Sequence, residues 1–200
     1  MSMDDMTNEA TSARRGGLIG FVERMHSAVF GGIERALDGW FVGLAGRLVF
    51  ASVLGLYYYN SGVTKLGEGF FGFVMPSTGA FGQILPPMLD AAGYDISAIP
   101  YFPWHLIVIA GTWAEFLLPL MIILGLFTRI AALGMAVFII VQSYVDIVFH
   151  GLEEKFIGSM FDRFPDAIIY DQRLLWIFVL VVLVVKGAGK LSLDHLLTRK

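Results

Sequence analysis

Four long apolar runs, separated by polar connections, dominate the pattern of hydrophobic and polar positions along the chain. A transmembrane helix needs about 20 mainly apolar residues to cross roughly 30 Å of hydrocarbon. The pattern therefore predicts an all-α integral membrane protein, built as a bundle of four transmembrane helices. The predicted spans cover residues 40–59, 104–126, 130–149 and 167–186.

The fourth span reaches this length only with its flank included. Its apolar core, LLWIFVLVVLVV, has 12 residues, which make about 18 Å of helix. The helix must therefore include the preceding DAIIYDQR. This extension carries Asp171 and Arg173 into the membrane.

Residues 1–39 form an amphipathic N-terminal segment. Between residues 18 and 37, apolar side chains recur at intervals of three and four, with charged side chains on the rest of the helix. These apolar positions are Leu18, Val22, Met25, Val29, Ile33 and Leu37. The pattern predicts a helix on the cytoplasmic face of the membrane, and docking on a soluble partner is the alternative. Residues 191–200 are predicted to be a cytoplasmic tail.

Two connections, residues 60–103 and 150–166, are predicted to lie on the outer side. The first is long for a link between adjacent spans, and Pro86 and Pro87 must break or restart its helical pattern. We expect a short amphipathic cap over the outer end of the bundle, in a position to cover a pocket.

Composition and charge agree with a membrane protein: the chain is 56% hydrophobic and 16% charged, with a mean hydropathy of +0.71. Nine Lys and Arg residues lie on the side of the termini and four on the other side, so both termini are predicted to be cytoplasmic. Tyr57, Tyr58 and Tyr59 are expected at the outer interface and Trp40 at the inner one. The sequence has no cysteine, which excludes thiolate-held iron–sulfur clusters within this chain.

Polar groups inside the spans are the first candidate site. Counted from the inner end of each span, Arg47 lies about 10 Å deep, Glu115 about 16 Å, Gln142 about 18 Å and Arg173 about 20 Å. Charged groups at such depths face the bundle and find partners, so Glu115 is expected to pair with Arg47, Arg173 or both. Such a pair either holds the helices in one arrangement or handles protons, a quinone or another substrate.

A second candidate cluster is predicted at the outer rim. Asp146 and His150 share one helix face, and His105 opens the second span. These three residues are candidate ligands for a divalent metal, and His105 and His150 are candidate axial ligands for a haem. The spacing matches no specific metal motif, and the ordinary alternative is a set of interfacial histidines.

Three segments in order along the spans suggest a family: GRLVFASVLGLYYYNSGVTKL, AEFLLPLMIILGLFTRIAAL and DQRLLWIFVLVVLVVKGAGKLSLD. Together they resemble the DoxX family of small bacterial and archaeal four-helix membrane proteins. The resemblance implies a subunit in the cytoplasmic membrane associated with redox systems, in the setting of a terminal quinol oxidase and thiosulfate:quinone oxidoreductase, with relatives linked to oxidative or metal stress. It also implies that Arg47, Glu115 and Asp171 belong to a shared polar core.

Three functions follow as hypotheses. The first is a membrane subunit of a redox complex that contacts a quinone and has a protein partner. The second is a protein that handles a metal or small solute through the outer His and acid cluster, and the third is a scaffold. An enzyme acting alone is the least supported, because the sequence offers no nucleophile with a base and an orienting group. We expect no nucleic-acid partner, and a homo-oligomer is compatible with the sequence.

Overall fold

The computed structural model describes residues 3–198, with side chains described for residue 17 and for residues 19–198. These residues form nine helices, a single 3-10 turn at Ile96–Ala98 and no β-strand. The helices are α1 (Met3–Leu37), α2 (Phe41–Lys65), α3 (Thr78–Ile84), α4 (Pro86–Ala91), α5 (Tyr101–Leu124), α6 (Thr128–Val148), α7 (Glu154–Ile157), α8 (Ile168–Lys186) and α9 (Leu193–Thr198).

The chain divides into two compact units, Met1–Gly39 and Trp40–Lys200. In the first unit, α1 exposes apolar side chains at Val22, Met25, Val29 and Ile33. The side chain of Leu18 and the last two residues of the predicted tail lie outside the described part of the chain. Placement of α1 on a membrane surface stays a prediction.

Four helices of the second unit are long and apolar enough to cross a membrane: α2, α5, α6 and α8, with 25, 24, 21 and 19 residues. This finding confirms the predicted four-span fold. Helix α2 contains a wider, π-type turn at Ala51–Gly55, and α8 begins with π-type turns at Ile168–Arg173.

Helix α2 continues six residues beyond the predicted end at Tyr59. The polar residues that argued for an earlier end are satisfied within the helix. The hydroxyl of Thr64 donates to the carbonyl of Ser61 at 2.7 Å, and the ammonium of Lys65 bonds to the same residue. A Cβ on Gly62 would lie 2.6 Å from the ring of Phe116, so the absence of a side chain lets α2 and α5 approach closely.

The core between the four spans contains side chains that are at most 2% exposed, among them Phe50, Leu54, Ile122 and Met135. Tyr58 belongs to this core and is fully buried. The prediction of three interfacial tyrosines is therefore wrong for Tyr58, because its hydroxyl finds a partner inside the bundle.

A helical segment follows α2, and its helix restarts at Pro86 as expected, with α3 ending at Ile84. The prediction placed this cap over the end of the bundle, and its contacts place it elsewhere. Its buried side chains, including Phe81 and Leu89, pack with Val108 of α5. Ile84 also approaches Gly111, which lies about 15 Å along α5 from Tyr101. The cap therefore covers the flank of α5, because α2 ends beside the middle of α5 and leaves that flank open.

We name the two ends of the bundle by their connections. The turn end contains the short link at residues 125–127 between α5 and α6, together with residues 187–192 after α8. The loop end contains the long connections at residues 66–100 and 149–167.

Candidate functional site: a cavity beside a buried ion pair

A buried ion pair joins the end of α2 to the middle of α5. The ammonium of Lys65 lies 2.9 Å from Oε2 of Glu115, and both side chains are only 3% exposed. Lys65 also donates to the hydroxyl of Ser61 at 2.8 Å and to the Ser61 carbonyl at 3.2 Å. A buried charge is tolerated only when it is paired and hydrogen-bonded, and Ser61 and Glu115 together meet that requirement for Lys65.

A cavity of about 360 Å³ lies beside this pair. Its walls come from α2, α5, α6 and the cap helix α3, which contributes Gln83 and Ile84. Small residues at Gly111, Ala114 and Gly134 leave the space open. Most of the lining is apolar, with the Lys65–Glu115 pair as its charged wall.

Two tyrosines of α2 hold the amide of Gln142, another cavity-lining residue. The hydroxyl of Tyr58 donates to Oε1 of Gln142 at 3.3 Å, and Nε2 of Gln142 donates to the hydroxyl of Tyr57 at 3.0 Å. Each end of the amide therefore has a partner, so its orientation in the cavity wall is fixed.

A second ion pair, between Arg173 and Asp146, reaches the cavity through its carboxylate alone, since Asp146 belongs to the lining and Arg173 does not. Nη2 of Arg173 donates to Oδ2 of Asp146 at 2.6 Å, and Nη1 donates to the hydroxyl of Ser143 at 3.0 Å. Arg173 is nearly buried, whereas a quarter of the Asp146 side chain is exposed. Asp146, near the end of α6, and His150, just after it, both line the cavity.

The predicted partners of Glu115 are wrong. Glu115 pairs with Lys65, and Arg173 pairs with Asp146. Counting residues along a span gives depth but not the direction in which a side chain points, and it placed Lys65 outside the membrane. The available signal was Ser61 and Lys65 at positions four apart, which places both on one helix face.

Arg47, the other predicted partner, lies at the turn end. Its guanidinium donates to four backbone carbonyls, those of Ile122, Ile123, Ala188 and Leu191, at 2.6–3.3 Å. The first two carbonyls belong to the last turn of α5, where helix carbonyls carry partial negative charge, and that of Ile122 also accepts the N–H of Gly125 at 3.1 Å. Arg47 therefore fixes the end of α5 to the segment after α8.

The same segment also fixes the start of α6. Asp194 accepts hydrogen bonds from the backbone N–H groups of Phe127 at 2.6 Å and Thr128 at 2.9 Å. Gly125, with φ of +71°, ends α5 in the left-handed conformation that favours glycine. Ser192 caps α9 by accepting the N–H of His195 at 3.2 Å.

Asp171 does not join the buried ion pairs. Its carboxylate accepts the N–H of Ala167 at 2.8 Å and so caps the start of its own helix. Of the expected polar core, the structure brings Glu115 and Gln142 to the cavity and places Arg47, Asp171 and Arg173 in separate contacts.

The candidate metal ligands do not come together, because His105 lies apart from Asp146 and His150. The ring of His105 packs against Tyr101 and Phe81, at centroid distances of 5.2 and 4.8 Å, while Asp146 and His150 line the cavity. Within residues 3–198, no three His, Asp or Glu side chains come together in a way that could hold a metal ion.

Comparison with known proteins gives one result. The family model DoxX matches residues 44–151, which is just over half of the 200 residues and covers α5, α6 and most of α2. No curated protein and no solved structure matches the chain. The four spans, the order of their motifs and this match agree, and the chain belongs to the DoxX family.

Proposed function

We propose that this protein is the membrane subunit of a redox complex and that its cavity binds a lipid-soluble carrier of the quinone class. The observation that carries this proposal is the cavity of about 360 Å³ with one charged wall, formed by Lys65 and Glu115, and otherwise mainly apolar lining. Small-molecule sites in proteins typically occupy about 300–1,000 Å³ and combine apolar walls with a few polar groups.

Access from the membrane supports a lipid-soluble ligand. Three residues that line the cavity, Ile107, Val137 and Val141, are 42%, 53% and 55% exposed, so the cavity is not enclosed on their side. They belong to α5 and α6, which are membrane spans, so this opening faces hydrocarbon. A carrier with an apolar tail can therefore enter between α5 and α6 without passing through water.

The charged wall is costly to maintain, which favours a role beyond packing. Buried ion pairs are often no more stabilising than well-packed apolar side chains of the same volume. Ionisable groups inside membrane spans commonly mark substrate or proton pathways. Lys65 and Glu115 meet beside an open space rather than in a filled core, and this placement suits ligand contact.

Electron transfer requires a partner in this proposal. The sequence has no cysteine, so the chain itself offers no thiolate for an iron–sulfur centre or a dithiol couple. The apolar face of α1, which includes Val22, Met25 and Val29, is the surface that we assign to the docking of that partner.

The test is purification from native membranes in mild detergent, followed by chromatography and ultraviolet spectroscopy of the extracted lipids. We expect about one quinone per chain and a co-purifying redox protein. A Gly111→Phe variant, which places a ring in the cavity, should lose the quinone and keep the partner. Recovery of the unaltered chain with neither quinone nor partner would contradict the proposal.

A further inference from the structure

The hydrogen bonds around Lys65 leave it nothing to offer a ligand. A lysine ammonium has three N–H donors, and the structure provides three acceptors for Lys65: Oε2 of Glu115 and the hydroxyl and carbonyl of Ser61. All three donors are therefore engaged. A ligand carbonyl that approached Lys65 would have to displace one of these bonds.

Glu115, in contrast to Lys65, keeps free hydrogen-bonding positions. A carboxylate has about four lone-pair positions for hydrogen bonds. Lys65 fills one of them, and the hydroxyl of Ser61 is also in reach. No other residue in the described part of the chain donates to this carboxylate, and Glu115 lines the cavity. At least one strong acceptor position therefore remains for a ligand.

The rest of the polar lining adds to this surplus of acceptors. Asp146 receives Arg173 on Oδ2, and its other oxygen accepts no hydrogen bond from residues 3–198. The side chains of Gln83 and His150 also make no hydrogen bond within those residues, and both can donate or accept. Two buried donors among the described residues lack a partner, Nε of Arg173 and Oγ1 of Thr128, and neither residue lines the cavity. The amide of Gln142 uses one of its two N–H groups, so the lining keeps an N–H donor beside the larger number of free carboxylate lone pairs.

The charges beside the cavity cancel. Lys65 balances Glu115, and Arg173 balances Asp146. A bound cation would have to compete with an ammonium or a guanidinium already in place, and an anion would meet two cations whose donors face carboxylates. A neutral ligand that donates a hydrogen bond satisfies the free lone pairs and disturbs neither pair.

We propose that the cavity binds a neutral amphipathic molecule through a hydroxyl group that donates to Glu115, and that it therefore prefers the hydroxyl-bearing form of a carrier to the carbonyl form. This inference rests on the proposed function, since it names the chemical class that the same cavity selects. The apolar body of the ligand lies along Val137 and Val141, and its hydroxyl reaches the wall formed by Lys65 and Glu115.

The test compares two ligands that differ only in the donor. These are 4-decylphenol and its methyl ether, 4-decylanisole, titrated calorimetrically into the full-length chain in lipid nanodiscs, with empty nanodiscs as the blank. We expect the phenol to bind at least about ten-fold more tightly, which corresponds to about 1.4 kcal/mol. The ratio of the two dissociation constants is the measured quantity.

Variants connect this ratio to Glu115. Lys65→Met with Glu115→Leu removes the pair without creating a net charge, and we expect the ratio to fall to about one. The matched control is Lys155→Met with Glu153→Leu, since that pair, at 2.7 Å, is about two-thirds exposed and lies at the start of α7. The control should keep the full ratio.

If the first variant fails to fold, Lys65→Gln with Glu115→Gln replaces it, and the ratio should fall several-fold because an amide oxygen is a weaker acceptor.

The outcomes separate the two proposals. Equal binding of phenol and ether, or tighter binding of the ether, would overturn the donor preference and leave the cavity as a quinone site. An unchanged ratio in the folded Lys65 and Glu115 variants would also overturn it. Binding of neither ligand above the blank would overturn the proposed function itself.

Discussion

The two ends of the bundle bury positive charge in different ways. At the turn end, the guanidinium of Arg47 meets four backbone carbonyls. Toward the loop end, Lys65 and Arg173 meet the carboxylates of Glu115 and Asp146, and both carboxylates line a cavity. Arg47, Glu115 and Arg173 looked alike when only their depth in the membrane was considered.

The two ends differ in how many hydrogen-bond acceptor positions remain free once the cation is bound. The carbonyls around Arg47 belong to a helix end and a loop that need a donor, so this arginine fastens backbone segments together. The carboxylates beside the cavity need only part of their capacity for their cations, so they keep acceptors for something else. A buried cation whose acceptors have no further hydrogen bond to offer indicates a structural contact. A buried cation whose carboxylate partner keeps free lone pairs beside a cavity indicates a ligand-binding site.

The largest effect is expected at the turn end. Arg47→Met leaves four carbonyls without a charged donor, of which that of Ile122 keeps the N–H of Gly125. Each buried group left unsatisfied costs about 1–3 kcal/mol, so we expect a loss of about 4 kcal/mol or more in unfolding free energy. Thermal or denaturant unfolding in detergent measures the loss. Protein that still folds should keep the ligand preference of the cavity.

Arg163→Met is the matched control. Arg163 lies over the ring of Phe164 at 4.8 Å in an exposed loop, and such contacts contribute about 0.5–1 kcal/mol at exposed sites. If Arg47→Met were no more destabilising than this control, the turn end would not be fastened by Arg47, and the contrast between the two ends would fail.

The next effect concerns the pair at the cavity. Lys65→Met and Glu115→Leu each leave one buried charge unpaired, and we expect each to cost about 3 kcal/mol. Removing both should restore much of that loss, so a double-mutant cycle should give a coupling energy of about 2 kcal/mol or more. The exposed pair of Lys155 and Glu153 should give less than about 1 kcal/mol.

Ligand binding separates a site from a scaffold. If the pair only sets helix packing, the restored double variant should keep the phenol-to-ether ratio of the unaltered chain. We expect the opposite: recovered stability without recovered preference. A coupling energy no larger than that of the exposed pair would also show that Lys65 and Glu115 do not act as a buried pair.

A smaller effect on stability is expected when the cavity itself is filled. Gly134 lines the cavity, and a Cβ there would lie 3.3 Å from Cδ2 of Leu118, an atom at the end of a flexible side chain. In Gly134→Leu, overpacking lowers the unfolding free energy by about 1–3 kcal/mol. Replacing a glycine inside a helix raises it by about 1 kcal/mol. The net change in unfolding free energy should therefore stay within about 2 kcal/mol.

Ligand affinity should respond more strongly, falling at least about ten-fold in the same calorimetric titration. Gly31→Leu is the control, because Gly31 lies in α1 with nothing within 4 Å of an added Cβ. Unchanged affinity in Gly134→Leu would mean that the ligand binds elsewhere.

The four spans, the helix restart at Pro86 and the end of α8 at Gly187 could be predicted because each depends on a local signal. Such signals are a long apolar run, a missing backbone donor, or a glycine at positive φ. The positions of Arg47 and Glu115 inside the membrane followed from the same counting.

The partners could not be predicted in this way. Lys65 follows Asn60, Ser61 and Thr64, and in sequence this stretch is typical of a loop rather than of the last two turns of a span. Its inclusion in α2 depends on Glu115, which comes 50 residues later. Asp171 looked like an intramembrane charge, yet the nearest N–H that needed a partner was that of Ala167.

The smallest effect is expected at an exposed carboxylate of the loop end, where hydrogen bonds outweigh burial. Asp95 accepts hydrogen bonds from the hydroxyl and the backbone N–H of Ser97, at 2.6 and 2.9 Å, and these bonds hold the pKa of Asp95 below its ordinary value. A depressed pKa in the folded state contributes stability at pH values above the unfolded pKa of about 3.9, and that contribution disappears as the pH falls through the folded pKa.

Ser97→Ala should raise the pKa of Asp95 toward its ordinary value, measured by carbon NMR titration of the carboxyl group. An unmoved midpoint would contradict the hydrogen-bond origin of the shift, and a changed phenol-to-ether ratio in this variant would connect Asp95 to the cavity and so weaken the assignment of ligand preference to Glu115.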